Sequence, residues 1–152
     1  MLKVIQGGIR MSFNYSGSPT GLVAGMGIVP ASGTVALPTT VSGTMPLGLV
    51  FDSTAEASSF MNVTGGGGGS DTLMESTAQS TNDITVITGT FVGQTDQFSG
   101  ITSSDIGSRL TVNTDGKLIK ATTTGAYVVG EVIGVPNTTD IKFLFNSAGT
   151  KV

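Results

Sequence analysis

The stretch RLTVNTDGKLIKA, residues 109–121, decides the fold. Leu110 and Val112 flank Thr111 in the two-residue alternation of a strand that buries one face. After NTDG the run KLIKA reads as a returning strand. Asp115-Gly116 between them accepts the positive φ of a tight turn, so the whole predicts a β-hairpin.

Working outward, the same plan recurs earlier in the chain. VIQG at 4–7 matches VITG at 86–89, and YSG at 15–17 matches FSG at 98–100. IVPASGTV at 28–35 lies over TVNTDGKL at 111–118, and TTVSGTMPLGLVF at 39–51 over TTTGAYVVGEVI at 122–133. The spacing is 82 residues (86 − 4), lengthens to 83 at 28–35 (111 − 28), and returns to 82 after one deletion, by Gly43 (125 − 43). Glycine punctuation and apolar runs recur together, which points to an internal duplication. Each copy then reads as a strand, a polar turn, a hairpin and a closing strand. The strands are LKVIQGGIRMSF and DITVITGTFVG; the closing segments are MPLGLVFD and AYVVGEVIGV. IKFLFN at 141–146 adds a last strand with Phe143 and Phe145 on one face. Gly48, Gly130 and Gly134 interrupt apolar strands, where glycine permits a bulge or a close backbone approach.

The expectation is therefore an all-β protein of two related small β-barrel or sandwich-like units. Residues 1–60 form the first unit, 61–82 a Gly/Ser/Thr-rich connector and 83–152 the second. NVTGGGGGSD at 62–71 lies in that connector, with a turn of helix predicted over DTLMESTAQ, 71–79, capped by Ser70 or Asp71.

Composition agrees with strands and restricts chemistry. The 152 residues include 23 Gly, 23 Thr and 16 Ser, and charged residues are 11%, against about 25% in typical domains. Low charge with 38% hydrophobic residues argues against disorder. Cys and His are absent, which removes disulfides, thiolate nucleophiles, zinc-thiolate sites and imidazole bases. Arg109, Lys117, Lys120 and Lys142 read as scattered surface charges, so no catalytic residue is assigned and no enzyme is expected. Neither a cofactor nor a metal is expected.

Other chemical motifs have plainer readings. The five glycines at 65–69 run into Ser70-Asp71-Thr72, not the Lys-Ser/Thr of a phosphate loop, and Asp71 would repel phosphate. Asn113, Asp115 and Asp105 lack the spaced acidic ligands of a calcium loop. Thr122, Thr123 and Thr124 offer hydroxyls to a sugar, yet with no Trp, and Tyr only at 15 and 127, a stacking platform is hard to build. No Lys or Arg occurs between Arg10 and Arg109, and the net charge is −3, so nucleic acid is not an expected partner. MLKVIQGGIR lacks the apolar core of a signal peptide. GLVAGMGIVPA, 21–31, is too short to cross a membrane, and no membrane partner is expected.

The run IGSRLTVNTDGKLIKATTTGAYVVGEVIGV, 106–135, resembles small all-β virion proteins of tailed bacteriophages, especially capsid decoration (cement) proteins. GTVALPTTVSGTMPLGLVF, 33–51, is a looser second instance. Together the two stretches cover about a third of the chain. It implies a non-enzymatic homo-oligomer, often a trimer, that binds the major capsid protein outside the shell and clamps neighbouring coat subunits. Such a protein is made in the host cytoplasm and ends on the virion surface. Alternatives are a tail, neck or head-fibre subunit, or a ligand- or carbohydrate-binding β module.

One segment suggests how a partner is met. Leu2, Val4, Ile5 and Ile9 could form an arm that adds a strand to a neighbour's sheet. The match of VIQG to VITG supports the other reading equally, in which this segment is the first strand of the first copy. Met1, Met11, Met26, Met45, Met61 and Met74 read as fillers of irregular core gaps or as adaptable contact surface.

Overall fold

The computed structural model describes residues 1–17, 21–52, 82–147 and 149–152. The pentaglycine and the helix turn expected at 71–79 lie outside the described residues. Among the described residues nine strands form one antiparallel sheet. They are β1 (Leu2–Asn14), β2 (Gly27–Ala31), β3 (Thr34–Ala36), β4 (Gly48–Asp52), β5 (Asp83–Thr95), β6 (Arg109–Val112), β7 (Leu118–Lys120), β8 (Gly130–Gly134) and β9 (Ile141–Phe145). The all-β expectation holds.

The path through the sheet is β3-β2-β4-β5-β9-β8-β6-β7, with β1 paired to β5 off that path. Val86 of β5 faces both Met11 and Val50, and Phe91 faces both Gly7 and Phe145. A strand has only two edges. Hence β1 occupies one edge of β5 along its length, while β4 and β9 share the other end to end. The strand that the sequence assigns to the second unit thus also completes the first.

Pairing in the two halves follows one scheme. In the first, Ile28 faces Gly48 and Gly48 faces Thr88; in the second, Leu110 faces Gly130 and Gly130 faces Phe145. Both closing strands then carry a bulge, between Val50 and Asp52 and between Val132 and Gly134. Each five-strand set curls until its end strands touch through one parallel bridge, Tyr15 to Val35 or Phe98 to Leu118.

The pairing moves one residue of the expected alignment. Ile28 corresponds to Leu110 and not to Thr111, and both are fully buried. The additional residue belongs to the turn. Ala31 pairs with Thr34 across Ser32-Gly33, both at positive φ, as in a two-residue hairpin loop. In the other hairpin Asn113 N–H donates to the Lys117 carbonyl across three residues, the last being Gly116 at φ +81°. That is the three-residue turn with a left-handed glycine.

Two apolar clusters result. Tyr15, Leu22, Ile28, Val35, Val50, Ile84 and Val86 fill the first half. Leu49, Ile87, Phe91, Leu110, Leu118, Val132, Phe143 and Phe145 belong to the larger second cluster. Strand β5 contributes to both. In the second cluster Phe91 stacks on Phe145 with centroids 4.9 Å apart and meets Phe143 edge-on at 5.9 Å.

Gly48 and Gly130 are required by space. A Cβ on Gly48 would strike the Ile87 carbonyl oxygen, and one on Gly130 the Leu144 carbonyl oxygen. Both clashes are with backbone, which cannot rotate away. Gly48→Ala and Gly130→Ala are each expected to cost about 1–3 kcal/mol in denaturant unfolding, with similar losses at both sites. In contrast, the buried Thr111 hydroxyl has no hydrogen-bond partner among the described residues. Thr111→Val removes that unpaired group with little change of shape and is expected to stabilise by about 1 kcal/mol in the same measurement.

Candidate functional site

The first strand is the least buried element of the sheet. Leu2 and Val4 are half-buried and pack against the second cluster, and Phe13 is half-buried against the first. Between them Ile5, Ile9 and Met11 are 50%, 65% and 48% exposed. The segment Leu2–Ile9 is thus a strand paired to its own sheet that also presents apolar side chains to solvent. Leu2 and Val4 are covered by that cluster, while Ile5 and Ile9 remain exposed. The segment is the first strand of its own sheet.

Pairing holds β1 on one side only. Its register runs from Leu2 opposite Thr95 to Asn14 opposite Asp83, with a bulge of β1 at Ile5 and a bulge of β5 at Gly89-Thr90, opposite Gly8. On the other side the only partner among the described residues comes just past the end of β1, where Tyr15 bridges Val35 and Ser16 N–H donates to the Val35 carbonyl. The outer edge therefore presents a row of backbone donors and acceptors of full strand length, free of sheet pairing among the described residues. Such an edge is a template for strand addition.

Arg10 stiffens the middle of the strand. It faces Ile87 across the pair, and its guanidinium lies 3.8 Å from the centroid of the Phe51 ring on β4. This cation–π contact reaches across β5 and ties the edge strand to the far side of the sheet. On the opposite face Ile9, Met11 and Phe13 follow one another at the period of two. Met11 was readable only as a gap filler or an adaptable contact. Its place in that row was the available signal, and the structure puts it on the exposed part of the strand.

The remaining polar groups are structural in arrangement. Asp105 ends a short 3₁₀ turn, Ser103–Asp105. Its carboxylate accepts from the Lys120 ammonium at 3.0 Å and from the backbone N–H and hydroxyl of Thr102 at 2.7 and 2.9 Å. The Lys120 hydrogen bond, followed by those from Thr102, holds its pKa below the usual carboxylate value. At Asp96 burial pushes the pKa up, but hydrogen bonds from the Met1 ammonium and Gln97 outweigh it and the net shift is downward. Both carboxylates are held ionised, the opposite of what a general acid needs. Asn113, Asp115 and Asp105 do not assemble: Asp115 accepts the Lys117 N–H within its turn, while Asp105 faces Lys120.

Nor do the aromatics among the described residues build a platform. Phe91, Phe143 and Phe145 are in the core, Tyr15 is buried, and Phe51 lies under Arg10. Tyr127 is half-buried with the Lys151 ammonium 4.3 Å from its centroid. A depression of about 260 Å³ beside β6, β8 and β9 is lined by Arg109, Glu131, Leu144, Asn146 and Thr150 among others. It contains no aromatic ring and falls short of the ~300–1,000 Å³ of ordinary ligand sites.

No protein-family model and no curated protein matches this chain. The edge geometry makes its own prediction. In the monomer, amides of β1 that point at β5 should be protected in native-state hydrogen exchange, and the alternate ones that point outward should exchange at least about tenfold faster. Uniform protection along β1 would show that the outer edge is covered.

Proposed function

We propose that this protein is a non-enzymatic structural subunit of a tailed-phage virion that binds the outer surface of the capsid and stabilises it. The observation that carries the reading is the outer edge of β1, unpaired at full strand length among the described residues and lined by Ile5, Ile9 and Met11. An edge of this kind supports docking by strand addition, in which main-chain hydrogen bonds supply affinity and alternate side chains supply fit. The resemblance of residues 106–135 and 33–51 to decoration proteins points to the coat protein as the receiving surface, and to a homo-oligomer, a trimer in the family, as the docking species. Many copies on one shell let modest single contacts sum through avidity. The described aromatics, committed to the core or covered by cations, weigh against the carbohydrate-binding alternative.

The test is to mix purified protein with undecorated shells of its own phage, then measure saturable binding and the melting temperature of the shell. Binding with a raised shell melting temperature is expected. Ile5→Lys combined with Ile9→Lys should weaken it at least about tenfold, the loss of ~1.4 kcal/mol of contact free energy. Binding to tails or to a glycan, with none to shells, would overturn the reading.

A further inference from the structure

The same molecule shows what an edge like that of β1 accepts. Within the chain β5 takes β1 along one edge, antiparallel, from Leu2–Thr95 to Asn14–Asp83. The two strands share local shape. VIQG in β1 and VITG in β5 both carry a glycine at φ +78°, Gly7 and Gly89. A strand of this shape therefore already pairs with a strand of this shape, and β1 presents the edge that remains.

We propose that the outer edge of β1 pairs with the β1 of a second copy, antiparallel about a two-fold axis near Gly8. Gly8 is the midpoint of Leu2–Asn14. Pairing about it sets Ile5 opposite Met11 and Gly7 opposite Ile9, so the exposed apolar side chains of one copy meet those of the other. The absent side chain of Gly7 leaves room for Ile9. The only charged residues of β1, Lys3 and Arg10, fall opposite Phe13 and Gln6, so no two cations face each other across the pair. Two copies thereby cover each other's free edge with one self-complementary patch, as an isologous interface requires. The pairing leaves β1–β5 intact and demands no refolding.

This inference rests on the geometry of β1 and holds whether or not the protein coats a shell. If it does, the second copy and a coat strand compete for one edge, and the dimer is the form that protects it in solution.

The test is sedimentation velocity over a range of protein concentrations. A dimer that dissociates on dilution is expected, and Ile9→Lys with Met11→Lys should weaken it at least about tenfold without lowering the melting temperature. The chain contains no cysteine. Ile5→Cys with Met11→Cys therefore reports register directly, since directly opposed antiparallel residues lie about 4.5–5.5 Å apart, within disulfide range. The double variant should oxidise to a linked dimer, and either single variant should not. A wild-type monomer at every concentration, a trimer indifferent to the lysines, or equal linking by the single variants would each overturn the inference.

Discussion

Everything in this molecule depends on β5 being paired along both edges. On one side it carries β1, and on the other β4 and β9 in succession. Its side chains divide accordingly: Ile84 and Val86 enter one apolar cluster, Ile87 and Phe91 the other. The change comes around Gly89, where a left-handed residue breaks the register. Removing β5 would leave β2, β3 and β4 as a three-strand sheet without its core partners. The two halves share one central strand, and neither owns it. The docking of Gly27 N–H on the Gly116 carbonyl, and of Gly27 itself against Val112, adds a second seam between them.

The same arrangement explains why β1 is the exposed element. Strands β2 to β4 and β6 to β9 gain neighbours by curling, and the curl brings the ends of each set together at Tyr15–Val35 and Phe98–Leu118. Those contacts join the chain just beyond β1 and β5, so the body of β1 stays outside the closure. Leu2 and Val4 secure the strand on the second cluster, Phe13 on the first, and Arg10 on Phe51. Among the described residues no comparable contact covers Ile5, Ile9 and Met11, so the apolar cost of that strand is left for another surface to relieve.

Much of the fold was legible in residue patterns, because strands with one buried face alternate visibly. RLTV, KLIKA, GLVFD and IKFLF became β6, β7, β4 and β9, with Leu110, Val112, Phe143 and Phe145 buried as the alternation placed them, while Thr111 and the adjacent Leu49 and Val50 are buried against it. Asp115-Gly116 marked its turn correctly, since positive φ leaves few residue choices. The alignment of Ile28 was displaced by one because Ser32-Gly33 and Thr114-Asp115-Gly116 are both good turns. Composition cannot say which of two workable loops is longer. The sharing of β5 left no local signature either, because a second paired edge changes partners and not side-chain types. At the candidate surface Ile5 and Ile9 were visible as apolar residues. Their exposure was not, because it depends on whether a neighbour lies beyond β1, and that is a property of topology.

The long reach of β1 sets a timetable for biosynthesis. Residues 2–14 leave the ribosome well before residues 83–95, the strand they pair with. At the usual ~5–20 residues per second the growing chain waits several seconds for its partner. During that interval an apolar, β-prone segment is displayed with no sheet to join. Non-local pairing of this kind also slows folding. The nascent first strand thus meets other chains before it meets its own, and translation rate becomes a determinant of how much product assembles correctly.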